Sequence, residues 1–205
     1  MIDTLSYAPD GGFHALLAPG EKPIDFGHVA QRLAGTLRFN GTQGALSVAQ
    51  HAVTGAQAIL SEGGDGLTAA LFLHHDDHEF VLGDITSPVI AALEALNPGA
   101  RAALQQLAGR WDAVLYAAAG LPAPDAWTQQ QADAVRQMDL RMCAVEARLL
   151  FGLRATAHFS RALRRPPLFE SVGAPCWPNA PAWPAGLAEE RFAAMHKKLT
   201  GRTLR

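Results

Sequence analysis

The stretch from Leu71 to Pro88 concentrates side chains that can bind a metal ion or carry a proton. It contains three histidines and four carboxylates, which are His74, His75, His78, Asp76, Asp77, Glu79 and Asp84. Residues three and four apart share one face of a helix, and Glu79 follows His75 by four residues and Asp76 by three. An imidazole and a carboxylate at one spot favour a divalent metal ion, and a further carboxylate there could manage the protons of a water molecule.

A solvated, charged helix end is the alternative interpretation of this stretch. Such an end seldom follows an apolar run without Lys or Arg mixed in, and the preceding segment, residues 67–73, is largely apolar and uncharged. We therefore favour a buried helix whose last turns enter a polar pocket. His74 and His78 are four residues apart and could form a second metal site, but supporting or surface roles are the preferred interpretation.

Two further predicted helices carry candidate ligands. Apolar residues at steps of three and four predict a helix from about Leu46 to Leu60, with His51 off the apolar stripe. Taken alone, His51 is most simply an ordinary, partly buried histidine. A longer helix is predicted over about residues 125–151, with Asp139 at the edge of its buried face and Glu146 on the same side. A carboxylate that borders a core face requires a partner or a metal.

Four of these residues form a coherent ligand set, namely His51, His75, Asp76 and Asp139. They supply two imidazoles and two carboxylates from three predicted helices. In a helical bundle, such a set can hold one divalent ion and leave positions open for water and substrate.

Hydrophobic spacing predicts helices through most of the remaining chain. They are expected from about Asp25 to Phe39, from Pro88 to Leu96, through Leu104 to Leu115 and over residues 187–199. Glycines and prolines in residues 1–25 favour an extended arm or a short hairpin. Residues 164–186 contain six prolines, which exclude a regular helix, and Trp177 and Trp183 are expected to anchor this second arm.

The sequence therefore predicts an all-α protein, a bundle of about six helices with a short N-terminal arm or hairpin. Residues 1–160 are expected to form the main domain. Residues 161–205 are expected to form a C-terminal arm and a final helix packed on the same domain.

Composition narrows the class of protein. The 205 residues suffice for one domain with a full core, and 49% hydrophobic against 18% charged residues indicates a globular chain. The net charge of −2 disfavours a nucleic-acid partner.

Cys143 and Cys176 form no CxxC motif, so neither a zinc knuckle nor a disulfide framework is indicated. No segment resembles a membrane span or a secretory signal, so we expect a soluble, cytoplasmic protein without a membrane partner.

The candidate ligands occur in an order, H…HD…D with helical flanks, that resembles the HD-domain metal-dependent phosphohydrolases. Residues 47–51, SVAQH, are similar to the SVAxH helix of that family. Residues 75–88 are similar to the HDxxExxxGDxxSP segment of its small 5′-deoxynucleotidase branch and of phage-type relatives. Arg38 and Phe39 stand where that branch has an arginine followed by an aromatic residue. The resemblance covers about residues 10–150.

This resemblance implies a role for each candidate residue. It implies one divalent transition metal (Mn, Co, Fe, Ni or Zn). The ligands of that metal would be His51, His75, Asp76 and Asp139. Glu79 would orient or deprotonate the attacking water, and Asp84 would assist proton transfer or hold the site together. Arg38 would bind a phosphate oxygen through its planar guanidinium, and Phe39 would pack near the sugar or base of the substrate.

Three of these assignments have structural alternatives. Asp84 could cap the turn that follows it. Arg38 could pair with Asp77 or Glu79. Phe39 could belong to the core.

The activity implied by the resemblance is release of phosphate from a 5′-deoxynucleoside monophosphate. The alternatives are a deoxynucleoside triphosphate triphosphohydrolase, with dATP as a candidate substrate, and a non-catalytic nucleotide-binding regulator. The regulator would lack a ligand or Glu79, and the sequence retains all of them. Ile90 stands where the branch usually has a lysine, which leaves the length of the phosphate chain open. The expected partner is a small-molecule nucleotide, and a homodimer is an open alternative.

Overall fold

The computed structural model describes residues 5–7, 12–20, 23–152, 157, 159–168 and 182–203. Its α-helices are α1 (Phe26–Gly35), α2 (Arg38–Gly41), α3 (Val48–Ser61), α4 (Gly66–Leu73), α5 (Glu79–Leu82), α6 (Ser87–Leu96), α7 (Ala100–Ala119), α8 (Gln129–Phe151) and α9 (Ala185–Thr200). Short 3₁₀ turns lie at Pro124–Ala126 and Ala162–Arg164. Two strands, β1 (Leu5–Tyr7) and β2 (Phe13–Ala15), pair antiparallel in a hairpin. The mostly helical architecture confirms the predicted all-α class.

The described part of the chain has nine α-helices, whereas a bundle of about six and a final helix were expected. The two additional helices are the short α2 and α5, which are separate from their longer neighbours. None of the helices described is both long and apolar enough to cross a membrane.

The centre of the core lies where α1, α3, α4 and α9 pack on one another. Their facing sides contribute fully buried apolar residues that include Val29, Leu33, Ala56, Leu71 and Phe192. Full burial of a Val, Leu or Phe side chain contributes about 1.5–3 kcal/mol. The core therefore fixes α3 and α4, which carry or precede three of the four candidate ligands.

A glycine sets the distance between α3 and α4. A Cβ atom added at Gly55 would overlap the buried ring of Phe72, so a larger residue would displace that ring or force the two helices apart. His51 lies one turn before Gly55, and its ring centroid is 5.7 Å from that of Phe72. The close approach thus places His51 beside the end of α4.

Helix α1 ends at Gly35, earlier than the predicted end near Phe39. Thr36 is extended, at φ −84° and ψ 113°, and the Arg38 N–H donates to the Leu46 carbonyl at 3.0 Å. The backbone leaves the helix because it pairs with the segment that leads into α3. Helical spacing of apolar residues carries no information on such a non-local pairing.

Helix α8 begins at Gln129, later than the predicted start near Asp125. Thr128 caps it, since its hydroxyl accepts from the Gln131 N–H while the Gln131 side chain accepts from the Thr128 N–H. This reciprocal capping box is a strong helix start. The residues before it form the 3₁₀ turn at Pro124–Ala126.

Helix α4 ends at Leu73, whereas the sequence predicted a helix that continues through the histidines. His75 Nδ1 lies 2.6 Å from the Phe72 carbonyl oxygen, and a local bond from a side chain to the backbone competes with helix continuation. His75 and Asp76 therefore lie in a turn, and Glu79 is the first residue of α5. The three residues do not share one continuous helical face.

The C-terminal part of the described chain packs on the helical core. Trp183 is buried and its backbone N–H donates to Gln50 Oε1 at 2.7 Å. The Arg191 guanidinium lies 4.3 Å from the centroid of the Trp183 ring. Helix α9 packs against α1, α3 and α4. Trp177, the other predicted anchor, lies outside the described residues, and the predicted division near residue 160 stays a prediction.

Candidate metal centre

Three of the predicted ligands meet at one point between α3 and the turn after α4. His51, His75 and Asp76 each offer one ligand atom, and these atoms lie within 4.8 Å of one another. Asp76 Oδ2 is 3.2 Å from His75 Nε2 and 4.0 Å from His51 Nε2. These separations are small enough for all three atoms to reach a single ion.

Asp139 on α8 is the fourth predicted ligand, and it lies at the same point. Its Oδ1 atom lies 3.3 Å from His51 Nε2 and 3.8 Å from His75 Nε2. The Asp139 side chain is 39% exposed, against 0% for that of His51. The cluster is therefore buried on the α3 side and accessible on the α8 side, where a substrate could approach.

The orientation of the two imidazoles fits metal binding. His51 Nδ1 lies 2.7 Å from Glu146 Oε1, and His75 Nδ1 lies 2.6 Å from the Phe72 carbonyl oxygen. Both partners are acceptors, so each Nδ1 carries a proton and the Nε2 atom of each ring is turned towards the cluster. Both Nε2 atoms are buried and have no hydrogen-bond partner among the described residues. A histidine that ligates a metal through one ring nitrogen typically donates a hydrogen bond from its second ring nitrogen to a carboxylate or carbonyl oxygen, as both rings do here.

The charges in the cluster favour a cation. Burial alone would lower the pKa of His75, but Asp76 and Asp139 raise it well above its ordinary value. Conversely, burial alone would raise the pKa values of both aspartates, but His75 lowers that of Asp76, and His51 and His75 lower that of Asp139. Two carboxylates in one partly buried cluster favour compensating positive charge, and a divalent ion would supply it.

Arg38 borders the candidate ligands from α2. Its Nε donates to Glu146 Oε2 at 2.9 Å, its Nη1 donates to Asp76 Oδ2 at 3.2 Å, and its Nη2 lies 3.9 Å from Asp139 Oδ1. The structural alternative had Arg38 paired with Asp77 or Glu79, and the structure pairs it with Asp76 and Glu146 instead. Because Glu146 fixes one edge of the guanidinium, the other edge faces the cluster.

The residues after Arg38 have an unusual backbone. Phe39 and Asn40 are left-handed, at φ 53° and 55°, a region that residues other than glycine rarely adopt and that is often found at functional sites. The half-buried Phe39 ring packs edge-on against Phe151, at a centroid distance of 5.7 Å. Its backbone N–H donates to Asp84. Phe39 therefore lies outside the main core, and Asp84 ties this turn to the loop after α5.

Glu79 lies beside the cluster without a role in its hydrogen bonding. Its Oε2 atom is buried and has no hydrogen-bond partner among the described residues. Burial, together with Asp76 and Asp84, raises the pKa of Glu79 to about 9. An opposite charge favours the ionised form of a carboxyl group, so a cation at the cluster would lower this pKa.

His74 and His78 do not converge on a second site. His74 Nδ1 lies 2.6 Å from Asp77 Oδ2, and His78 Nδ1 lies 2.9 Å from Asp112 Oδ1 on α7. Each ring is thus held by a different carboxylate. The N-cap residue of α6 is Thr86 and not Asp84, and a capping role of Asp84 in the turn before α6 stays a prediction.

Two residues near the cluster had no assigned role in the sequence. Glu146 was recognised only as lying on the same side of α8 as Asp139, and their separation of two helical turns was the signal available. His196 gave no signal, because it comes from α9 and reaches His74 across 122 residues.

Comparison of the sequence with models of known protein families gives no match, and comparison with curated proteins gives none either.

Proposed function

We propose that this protein is a divalent-metal-dependent phosphohydrolase of the HD-domain class that acts on nucleotides. The observation that carries the proposal is the convergence of four potential ligands, His51, His75, Asp76 and Asp139, around two buried and unpartnered Nε2 atoms. The most direct activity is hydrolysis of a 5′-deoxynucleoside monophosphate to a nucleoside and phosphate.

The donor set indicates a transition metal. Two imidazole nitrogens and two carboxylate oxygens suit Mn, Co, Fe, Ni or Zn. When bound, such an ion lowers the pKa of a water molecule and offsets negative charge on a phosphoryl group. The four residues that would hold it leave the side of Asp139 open to solvent, because that side chain is 39% exposed.

Arg38 would attract and orient the phosphate. Its guanidinium is always charged and presents donors in a fork that matches phosphate oxygens. Glu146 holds Nε, while the Nη groups lie 3.2 Å from Asp76 and 3.9 Å from Asp139. A phosphate at the edge of the cluster would replace these longer contacts with charge-assisted hydrogen bonds.

Glu79 would accept a proton from the attacking water, and Asp84 would support it. A cation bound nearby would lower the pKa of Glu79 from about 9, and the ionised carboxylate would then serve as a base. Asp84 accepts from the Phe39 N–H, which holds the Phe39 turn in place beside Arg38. Phe39 is half-buried, so part of its ring remains available to pack on the sugar or base of a nucleotide.

A panel of nucleotides with resolved products tests this function. The purified protein is incubated with Mn²⁺, Co²⁺ or Zn²⁺ and each deoxynucleoside mono- or triphosphate. Free phosphate from the monophosphates supports the proposal, whereas tripolyphosphate from the triphosphates would assign the alternative triphosphohydrolase activity. Nucleotide binding without turnover would favour the non-catalytic regulator.

A pair of matched variants on α8 serves as the control for this panel. D139N removes a candidate ligand, whereas D133N removes an exposed carboxylate on the same helix that pairs with Arg136. Activity that is lost in D139N and retained in D133N assigns turnover to the cluster. Equal activity in both variants would show that the turnover comes from another site or from a contaminating protein.

A further inference from the structure

The two proposed ligands after α4 lie in a weakly hydrogen-bonded turn, defined here as the ligand turn, residues 74–78. Its backbone bonds are of the tighter 3₁₀ type, from the His75 N–H to Phe72, from Asp77 to His74 and from Glu79 to Asp76, at 3.0–3.2 Å. Such bonds have poorer geometry than those of an α-helix. The position of His75 and Asp76 must therefore depend on side chains that anchor the turn.

One anchor connects the ligand turn to the last helix. His74 Nδ1 lies 2.6 Å from Asp77 Oδ2, and His74 Nε2 lies 3.1 Å from His196 Nδ1 on α9. All three residues are buried, with exposed fractions of 0%, 1% and 0% for His74, Asp77 and His196. Hydrogen bonds in a water-excluded setting are stronger, and the loss of one partner there is correspondingly costly.

The protons in this chain can be assigned from its chemistry. His74 Nδ1 lies against Asp77, so His74 Nε2 is the atom that faces His196 Nδ1. One nitrogen of this pair must carry the shared proton, and only if His196 Nδ1 donates does the buried His196 Nε2, which has no hydrogen-bond partner among the described residues, keep a lone pair in place of an N–H. Burial, with His74 and Arg202, lowers the pKa of His196 to about 4, so this ring is neutral and its buried Nε2 bears a lone pair. An orphaned buried N–H would be the rarer and less favourable arrangement.

Aromatic rings hold His196 in this position. Phe26 of α1 stacks on His196 at a centroid distance of 4.7 Å and an interplanar angle of 29°. Phe26 and Phe192 both meet His74 edge-on, at centroid distances of 5.4 Å and 5.7 Å. The donor on α9 is therefore placed by rigid packing rather than by an exposed, adaptable contact.

We infer that His196 is a positioning residue of the metal centre, which it serves by donating a hydrogen bond to His74 and so fixing the ligand turn. The inference rests on the proposed metal site. It makes α9 a part of that site, although α9 supplies no ligand. Linkage is reciprocal, so a metal bound at the site would in turn stabilise the docking of α9.

Two substitutions of similar size separate the hydrogen bond from the packing. H196N presents an amide N–H close to where His196 Nδ1 lies. H196L fills a volume similar to that of the imidazole and donates no hydrogen bond. Co²⁺ affinity of the full-length variants is measured by competition with a chelator, together with the visible absorption of bound Co²⁺. H196L is expected to bind Co²⁺ about tenfold more weakly than wild type, and H196N is expected to retain most of the affinity.

The control removes packing from α9 without removing the hydrogen bond. Leu199 is a partly buried residue of α9 that packs on the core, so L199A is expected to lower stability and leave Co²⁺ affinity unchanged. The inference is overturned if L199A weakens Co²⁺ binding as much as H196L does, if H196N is as weak as H196L, or if H196L binds as wild type does. If H196L does not fold, H196A takes its place: Co²⁺ binding about tenfold weaker than in L199A supports the inference, and equal binding in H196A and L199A overturns it.

The experiment also separates this inference from the proposed function. Wild-type protein that binds no Co²⁺ would remove the metal centre, and the inference with it. Tight binding by wild type and H196L alike would overturn the role of His196 alone.

Discussion

Arg38 and Glu146, 108 residues apart in the sequence, form a buried ion pair in which Arg38 Nε donates to Glu146 Oε2 at 2.9 Å. The other oxygen of Glu146 lies 2.7 Å from His51 Nδ1. One carboxylate on α8 therefore orients both the proposed phosphate-binding residue and a proposed ligand. Burial alone would raise the pKa of Glu146, but Arg38 and His51 lower it, so it is ionised in the folded protein.

We predict that Glu146→Gln weakens metal binding and stability together. The amide has a single oxygen, so one of the two N–H donors, from His51 or Arg38, must face an NH₂ group. Loss of one hydrogen bond to a charged group is expected to lower the free energy of unfolding by about 1.5–3 kcal/mol. Urea unfolding and metal titration measure the two effects.

Glu62→Gln is the matched control for that prediction. Glu62 forms a bidentate ion pair with Arg141, away from the cluster, so this variant should lose stability without a change in metal affinity. Weaker metal binding in Glu62→Gln, or unchanged binding in Glu146→Gln, would show that Glu146 does not act on His51.

We predict that Arg38→Ala raises KM and lowers kcat/KM by about two to three orders of magnitude, the scale of a buried charge-assisted contact. Arg38→Lys should recover only part of the loss, because a single ammonium cannot contact Glu146 and a phosphate in the geometry of the fork. Steady-state kinetics on both variants, after metal content is equalised, give the answer. An unchanged KM in Arg38→Ala would make Arg38 purely structural.

We predict that Glu79→Ala keeps its metal and loses most of its turnover. The ligand set is complete without Glu79, whose buried Oε2 atom has no hydrogen-bond partner among the described residues. Removal of a general base typically lowers turnover by about 10²–10⁴-fold. Metal content and kcat are measured on the same preparation, and wild-type turnover in metal-loaded Glu79→Ala would exclude Glu79 from proton transfer.

Glu62 also predicts a dependence of stability on pH. Burial alone would raise its pKa, but hydrogen bonds from Arg141 and the Leu168 N–H lower it below its ordinary value of 4.5. The unfolded state thus binds more protons, and the stabilisation is full above about pH 4.5 and is lost as pH falls through the folded pKa. The difference in unfolding free energy between wild type and Glu62→Gln should shrink between pH 5 and pH 3. A difference independent of pH would contradict this assignment.

Local patterns predicted the elements of the site better than its connections. His51 on α3 and Asp139 on α8 follow from helical spacing, because side-chain periodicity is a local property. The turn at His75 was missed, since the Phe72 carbonyl accepts from the imidazole and the backbone N–H of His75, and not from the Asp76 N–H that would continue the helix. The left-handed backbone of Phe39 comes directly after Arg38, whose N–H pairs with the Leu46 carbonyl. Neither event changes the spacing of apolar residues.

Long-range partners were the larger omission. Glu146 reaches His51 across 95 residues, and His196 reaches His74 across 122. Such pairs depend on how helices cross, which hydrophobic periodicity does not specify. The sequence therefore predicted a set of ligands, but it did not predict the groups that orient the imidazoles of His51 and His75.

The central claim is that His51, His75, Asp76 and Asp139 hold one divalent ion. Anomalous diffraction from crystals of the Co²⁺-loaded protein, collected on both sides of the cobalt absorption edge, tests it most directly. The account predicts one strong peak within bonding distance of His51 Nε2 and His75 Nε2, and no such peak in D139N crystals grown at the same Co²⁺ concentration. A peak at His74 or His78, or none near His51, would contradict it.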